Sequence, residues 1–511
     1  AFVNKVTELT FQAIKGRQSS KVTLVEELER TRYLEKLRIQ QTPWKVDPED
    51  EYDFWKEIKR LLLLVSSNQN TDIQEDQILK SIINRYSEEI AGNFKHSYYQ
   101  FARSVVTFGF ARLLNASQSK YFSGLFRGRR TLRDKIRIRG NANRLRALAK
   151  EGTVIMVPTH FSNLDSILIG WVIDELGLPP FIYGAGLNLF NMSLFAYFMN
   201  SVGAYKVDRR KKNRIYLETL KMYSNEAIQQ GCHSLFFPGG TRSRSGEIEE
   251  KLKLGLLGTA IEAQKSLYSR GEDKKIFVVP VVINYNFVLE APSLIDQYLE
   301  SVGQEKYYLD TDEYSDSYKI AKFLVKFFTK AAEISVSIGD GMDLFGNYVN
   351  DEGQSIGKLG NHIHTREYFQ QGGVISTDKQ RDQEYARLLS QRIVEEFHKF
   401  NEVLPSHIVA FVAYLDLRKQ FSELDLYSFI RLPEDEMLVE YEPFKNGVER
   451  VKEAILKLEA EGKILSGPDF QKSTEEMMQI GLQNVGMYHA KRPLLQNDDG
   501  DIITQDLRLL Y

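Results

Sequence analysis

An α/β sheet domain set between two helical regions is the fold class this sequence predicts, and three observations predict it. Residues 120–345 alternate short apolar runs with longer amphipathic ones, the pattern of strands joined by helical crossovers. Residues 1–118 read as helical, with Glu51–Val65 carrying helix-spaced apolar positions that end in a solid apolar block. From 346 onward helical periodicity returns. A chain of 511 residues exceeds one ordinary core, so three regions are expected, at 1–118, 119–345 and 346–511.

The strands expected in the middle region are Ile136–Arg139, Thr153–Val157, Phe181–Tyr183, Ser234–Phe237, Phe277–Val282 and Ile334–Ile338, each a short apolar run between polar or glycine-rich stretches. The fifth reads as a buried strand broken by Pro280. Gly353, Gly357 and Gly360, with Asn361, predict an irregular linker near 345–362. Beyond it Asp382–Phe400 and Val448–Glu461 are amphipathic. The second places Val448, Val451, Ile455 and Leu458 on one face, with Gly462 as its C-cap.

Composition excludes several classes. Apolar content of 42% and charged content of 27% are those of a globular protein. A net charge of −2 gives no global field for nucleic acid, so no nucleic-acid partner is expected. The single cysteine, Cys232, forbids an internal disulfide and fits a reducing compartment. The opening Ala1-Phe-Val-Asn-Lys5 lacks the basic-then-apolar layout of a signal peptide. Leu176–Tyr205 is uncharged and long enough to span a bilayer, but its asparagines and the Pro179-Pro180 pair predict an apolar helix with loops, buried or interfacial. Between Lys120 and Lys150 eleven basic residues face one acid, Asp134. This run reads either as a solvated face or as a patch for anionic lipid headgroups, each cation contributing about 1 kcal/mol near the surface. The aromatic segment Tyr98–Leu114 reads either as a core helix or as a membrane-interface segment. Together they lead to the expectation of a peripheral protein on the cytoplasmic face of a membrane.

His160-Phe-Ser-Asn-Leu-Asp165 follows the apolar run Thr153–Pro158, so an imidazole and a carboxylate fall at the end of a buried strand. Ser162 or Asn163 is expected to cap the helix that follows, placing Asp165 in its first turns. From there Asp165 reaches back to one imidazole nitrogen, holding the tautomer and leaving the other nitrogen free to take a proton from a substrate hydroxyl. A second polar cluster, Pro238-Gly-Gly-Thr-Arg-Ser-Arg-Ser-Gly246, follows another strand. Its glycines let backbone amides turn toward an anion, and Arg242 and Arg244 suit phosphate oxygens. Arg209 and Arg210 follow a third apolar run. Base and anion cradle together predict an enzyme acting on a phosphorylated alcohol. Cys232 and His233 are adjacent and would point to opposite faces of a strand, which disfavours a Cys–His dyad. No carboxylate or cysteine pattern accompanies His362 and His364, so no metal site is expected.

Four blocks in this order, His160–Asp165, Gly203–Arg209, Phe237–Gly246 and Val279-Pro-Val281, resemble the glycerolipid acyltransferase family: the glycerol-3-phosphate, dihydroxyacetone-phosphate and lysophosphatidic acid acyltransferases. The resemblance implies a mixed sheet flanked by helices. It also implies His160 as general base supported by Asp165, and acceptor phosphate bound by Arg209, Arg242 and Arg244. Gly240, Thr241 and Ser243 would shape the loop, with Lys253 following it. The implied donor is an acyl thioester, acyl-CoA or acyl-carrier protein, with no cofactor and no metal. The implied acceptor is a phosphorylated glycerol, and the membrane surface is the expected further partner. The Arg-Ser-Arg-Ser-Gly run and the long helical flanks resemble the branch that acylates the sn-1 hydroxyl of glycerol 3-phosphate or dihydroxyacetone phosphate. Pro238 and Thr241 resemble the lysophosphatidate enzymes that acylate sn-2. One departure is evident: Gly239 stands where the family carries a glutamate. It opens a further alternative, a catalytically silent lipid-binding protein of the same fold. Uncharged segments Ser166–Val172 and Leu187–Val202 read as core or as walls of an acyl groove.

Overall fold

The structure, a computed structural model, describes residues 1–16, 23–44, 47–67, 71–91, 136–187, 204–288, 290–301, 334–486 and 492–509. The aromatic segment 98–114, the basic residues 120–135 and nearly all of 187–202 lie outside this set.

Four helices open the chain: α1 (Phe2–Gly16), α2 (Leu24–Gln41), α3 (Glu51–Ser67) and α4 (Thr71–Ile90). A capping box starts α2, in which Thr23 and Glu26 satisfy each other's backbone N–H groups. Leu28, Ile58, Leu62, Leu79, Ile82 and Ile83 are buried together, and the same cluster takes in Tyr205, Ile215 and Tyr216 from the next region. The amino-terminal helices are therefore docked on the sheet domain.

That domain is a seven-stranded mixed sheet in the order β1-β7-β6-β2-β5-β3-β4. The strands are β1 (Ile136–Gly140), β2 (Gly152–Pro158), β3 (Ile182–Gly186), β4 (Ala204–Val207), β5 (Ser234–Leu235), β6 (Lys275–Tyr285) and β7 (Ile334–Ile338). The five strands from β6 to β4 run parallel, while β7 lies antiparallel to β6 and parallel to β1. Side chains alternate between two cores. Val154 and Met156 of β2 join α5 (Ala142–Glu151) and α6 (Asp165–Glu175) on one face. Ile155 and Val157 meet α8 (Leu254–Ser269) on the other. Both faces are covered, which explains why these strands read as unbroken apolar runs. The helix α7 (Arg214–Gln229) joins β4 to β5.

Four sequence expectations need correction. The strand β4 was read only as a short apolar run, because four residues carry too little pattern. The strand β5 stops at Leu235, although Phe236 N still donates to Met156 O at 3.2 Å. Pro280 does not break β6. On the β7 side, Val278 exchanges hydrogen bonds with Met342, and regular pairing resumes at Val281 opposite Ile338. Pro280 sits at the switch, its carbonyl accepting from Gly339 N at 2.9 Å, a site where the missing N–H interrupts no ladder. Lastly, the linker near 345–362 is an antiparallel meander of Tyr348–Val349, Ser355–Ile356 and His362–Ile363.

The second core continues past 345. Ala386, Leu389, Ile393 and Phe397 of α10 (Lys379–Lys399) pack with α8 against the sheet, and Asp378 caps α10 by accepting from Gln380 N and Arg381 N. Between α8 and α10 in sequence lies α9 (Ala291–Ser301). A separate carboxyl-terminal core joins α11 (Pro405–Gln420), α12 (Tyr441–Ala460) and α13 (Thr474–Asn484) through Val409, Val412, Phe444, Val448, Met477 and Met478. Gly462 ends α12 at φ +70°, with Gly462 N and Lys463 N donating to Glu459 O and Leu458 O.

The described part of the basic run holds the fold together. Arg137 and Arg139 pair with fully buried Glu402, Arg144 with Asp340 and Asp351, and Arg146 donates to Leu176 O at 2.9 Å. These four side chains do not form a lipid-facing patch.

Candidate active site

Strands β6, β2 and β5 are neighbours and parallel, so their carboxyl ends open onto one place. Beyond β2, Thr159 stays tied to β6, its N–H donating to Val281 O and its hydroxyl accepting from Ile283 N. His160 comes next. Its Nδ1 lies 2.8 Å from Asp165 Oδ2, and its ring stacks on Phe237 with centroids 4.1 Å apart. The same carboxylate oxygen accepts from Phe161 N at 2.7 Å and Ser162 N at 2.9 Å. Asp165 is fully buried, and the Tyr285 hydroxyl at the end of β6 donates to its other oxygen. Because Asp165 is held by donors on every side, it acts as an acceptor toward Nδ1–H. That leaves the lone pair of His160 on Nε2, which has no protein partner among the described residues.

The expected cap is different. α6 begins at Asp165 with Leu164 as N-cap and no side-chain cap, while Ser162 Oγ accepts from Leu164 N at 3.1 Å. Asp165 itself satisfies the two backbone N–H groups just before the helix, so one carboxylate closes the turn and orients the imidazole.

Residues 237–246 come to this same place. Gly240 N donates to Phe237 O, Gly240 has φ +78°, and Ser243 N donates to His160 O at 2.8 Å. Lys253 packs its ammonium end against Gly240 and donates its own N–H to Pro238 O. Arg242 Nη1 lies 3.3 Å from Glu290 Oε1. That oxygen also accepts from Asn163 N at 2.9 Å, and Glu290 Oε2 accepts from Ser162 Oγ at 2.8 Å. Glu290 thus clamps the two motifs together. Glu290→Ala is expected to leave a guanidinium and two donors without their acceptor, costing about 2–3 kcal/mol. A lower urea midpoint at unchanged slope checks this.

Thr241 and Arg244 are exposed on the loop. Arg244 lines the mouth of a cavity of about 190 Å³ with Phe161, Gly246, Leu294, Ile295 and Tyr298. Arg209 is the predicted residue that the structure does not bring into contact with the others. It is exposed just past β4, three strand positions from β2, or about 14 Å by inter-strand spacing. Neighbouring Arg210 pairs with Asp208 and Asp47 and stacks 3.8 Å over Trp44. In α6, Leu168, Ile169 and Val172 belong to the core, while Ser166 and Gly170 line a small pocket with Ile173, Phe181 and Tyr183. His233 is structural: buried, with its Nδ1 accepting from Val154 N.

These blocks match known proteins. Residues 135–284 fit the family model described as Acyltransferase. A glycerol-3-phosphate acyltransferase of Haemophilus ducreyi is 34% identical over 168 residues, 32% of this chain and 20% of that protein. One from Haemophilus influenzae strain PittEE is 32% identical over 168 residues, with the same shares. One from Actinobacillus pleuropneumoniae serotype 5b is 34% identical over 169 residues, 32% of this chain and 19% of that protein. Residues 135–284 form an acyltransferase domain, similar to these glycerol-3-phosphate acyltransferases. It matches about a fifth of the length of these curated relatives.

The acyltransferase domain depends on residues that the sequence did not single out. Tyr285 was hidden inside an apolar strand, and burial, then the Asp165 charge, holds its phenol well above the ordinary tyrosine range. Glu290 lies 128 positions from Ser162 and has no local signal. His407, on the first turn of α11, is partly buried and donates from Nε2 to Tyr285 O at 2.7 Å, while its Nδ1 accepts from Leu404 N. Nearby Ser406 Oγ donates to Asn286 Oδ1 and Asn284 pairs with Asn401. The carboxyl-terminal helices thereby hold the end of β6 and its tyrosine in place. Among the described residues there is no cluster of metal-ligating side chains and no helix long and apolar enough to cross a membrane.

Proposed function

We propose that the chain transfers a fatty acyl group from acyl-CoA or acyl-carrier protein to the sn-1 hydroxyl of glycerol 3-phosphate or dihydroxyacetone phosphate. The observation that carries this reading is the linked set Tyr285–Asp165–His160, with Nε2 open beside a glycine- and arginine-rich loop. His160 Nε2 takes the proton of the acceptor hydroxyl as its oxygen attacks the thioester carbonyl. The tetrahedral intermediate collapses, the C–S bond breaks, and the imidazolium returns the proton to the leaving thiolate. Asp165 stabilises the imidazolium meanwhile. A thioester is already activated, so the proposed step calls for no cofactor. Arg242 and Arg244 supply charge for the acceptor phosphate, and the cavity walled by Leu294, Ile295 and Tyr298 suits the apolar part of a substrate. Peripheral attachment to the cytoplasmic face of a membrane is part of the proposal. It is supported by the sequence of residues 98–135 and by the apolar product chain.

The test is thiol release from palmitoyl-CoA, and then from palmitoyl acyl-carrier protein, with liposomes present. Glycerol 3-phosphate, dihydroxyacetone phosphate and lysophosphatidate are compared as acceptors. Release dependent on either of the first two supports the reading. Release dependent on lysophosphatidate alone moves the assignment to sn-2 acylation. No acceptor-dependent release from either donor overturns the activity and favours a silent lipid-binding protein.

A further inference from the structure

Glu249 lies in the loop between Gly246 and α8, ten positions beyond Gly239, and no motif singles it out. Both of its carboxylate oxygens are buried, and no other described residue donates a hydrogen bond to them. An ion so placed carries a desolvation cost that the surrounding groups leave uncompensated. Its location accounts for the departure at Gly239. That glycine has no positive φ, so its backbone would accept a side chain. What excludes one is Glu249: a Cβ at position 239 would stand 2.4 Å from Oε1 and 2.8 Å from Cγ. The Glu249 carboxylate therefore occupies the space where a side chain at 239 would begin.

We propose that Glu249 is a positioning residue of the acceptor site, its carboxylate replacing the side chain that position 239 lacks and bracing the Gly239–Gly240 turn against Asp165 and His160. The proposal rests on the acyl-transfer reading above. Two further observations support it. The turn it braces belongs to the loop whose Ser243 N–H donates to His160 O. Burial pushes the Glu249 carboxyl up to about 7, its own backbone N–H works against this, and the Asp165 charge adds a smaller push upward. The other charge nearby is the Lys253 ammonium, packed against Gly240. As pH rises through neutrality Glu249 ionises beside Asp165.

Steady-state kinetics with palmitoyl-CoA and glycerol 3-phosphate test this, comparing wild type with Glu249→Gln, Glu249→Ala, and Glu249→Ala combined with Gly239→Glu or with Gly239→Gln. Glu249→Gln is expected to lower kcat/KM about 10- to 100-fold, the range for a carboxylate that orients a ligand-binding group without touching the reacting atoms. It should also remove one ionisation near neutrality from the pH profile. The swap Gly239→Glu with Glu249→Ala should recover activity, and the glutamine swap should not, since it restores volume without charge. Wild-type turnover with Glu249→Gln within twofold and an unchanged pH profile overturns the proposal while leaving the acyl-transfer reading intact. If wild type shows no turnover, that reading fails first, and calorimetry of glycerol 3-phosphate binding decides the role of Glu249. Weaker binding in Glu249→Gln, restored by the glutamate swap, keeps it, and equal Kd values overturn it.

Discussion

His160→Ala is expected to abolish acyl transfer while leaving the fold intact. The ring is partly exposed, at 16% of its side-chain surface, and among the described residues its one hydrogen bond runs to Asp165. Truncation therefore opens little buried volume. What is lost is the proton acceptor, since no other described side chain offers an unpaired imidazole beside residues 237–246. General-base catalysis contributes about 10²- to 10⁴-fold, so kcat should fall by at least two orders of magnitude with KM for glycerol 3-phosphate little changed. Asp165→Asn should cost as much activity and also some stability. An amide at this position must turn an NH2 group toward one of the donors Phe161 N, Ser162 N, Tyr285 OH or Nδ1–H, all of which the carboxylate accepts. Retained activity in His160→Ala, measured as acceptor-dependent thiol release, would sink the mechanism.

Arg38→Ala is expected to produce the largest loss of stability. Arg38 of α2 is buried with Glu35 and Glu51, its Nε 2.7 Å from Glu35 and its Nη2 on Glu51. Burial works against its charge, but the carboxylates more than compensate, and its pKa ends above the ordinary value. Glu51, by contrast, is raised by burial despite Arg38 and Lys211. The same cluster receives the Tyr86 hydroxyl and Asn213 Nδ2 on Glu35, and Lys211 on Glu89. Removing the guanidinium leaves two buried carboxylates with one ammonium, Lys211, to serve them. Breaking a buried pair this way costs about 3–5 kcal/mol. The loss should appear in urea unfolding as an early transition of the amino-terminal helices. Lys211 and Arg210 stand directly after Arg209, so the same variant should loosen the β4–α7 turn. A single transition at the wild-type midpoint would mean that the helices are not held by these charges.

Regular elements were legible where the pattern repeats along the chain. Five of the six expected strands contain or lie within the observed ones, because β2 and β6 are buried on both faces and apolar at nearly every position, while β1 and β7 alternate apolar with polar residues. Phe181–Tyr183 instead slid to Ile182–Gly186, where glycines erase the signal. Pro280 misled for a different reason: whether a proline breaks a strand depends on whether its N–H would have met a partner, and the neighbouring strand decides that. The core continuing into α10 was equally hidden, since the glycines near 353–360 read as a linker although they turn a meander packed on β6.

The sequence by itself determined the local chemistry. His160 and Asp165 stand five positions apart, a strand end and one turn bring them within hydrogen-bond reach, and the Gly–Arg–Ser run supplies turns and cations. These are short-range consequences of backbone geometry. Only the tertiary structure decided what completes the site. Tyr285 reaches Asp165 from β6, Glu290 bridges Ser162 to Arg242, His407 holds Tyr285 from the far helical region, and Glu249 fills the space that Gly239 leaves. Each of these contacts depends on which strands are neighbours and which loops share a sheet edge. Strand order is set by the packing of whole faces, so no spacing within one segment records it.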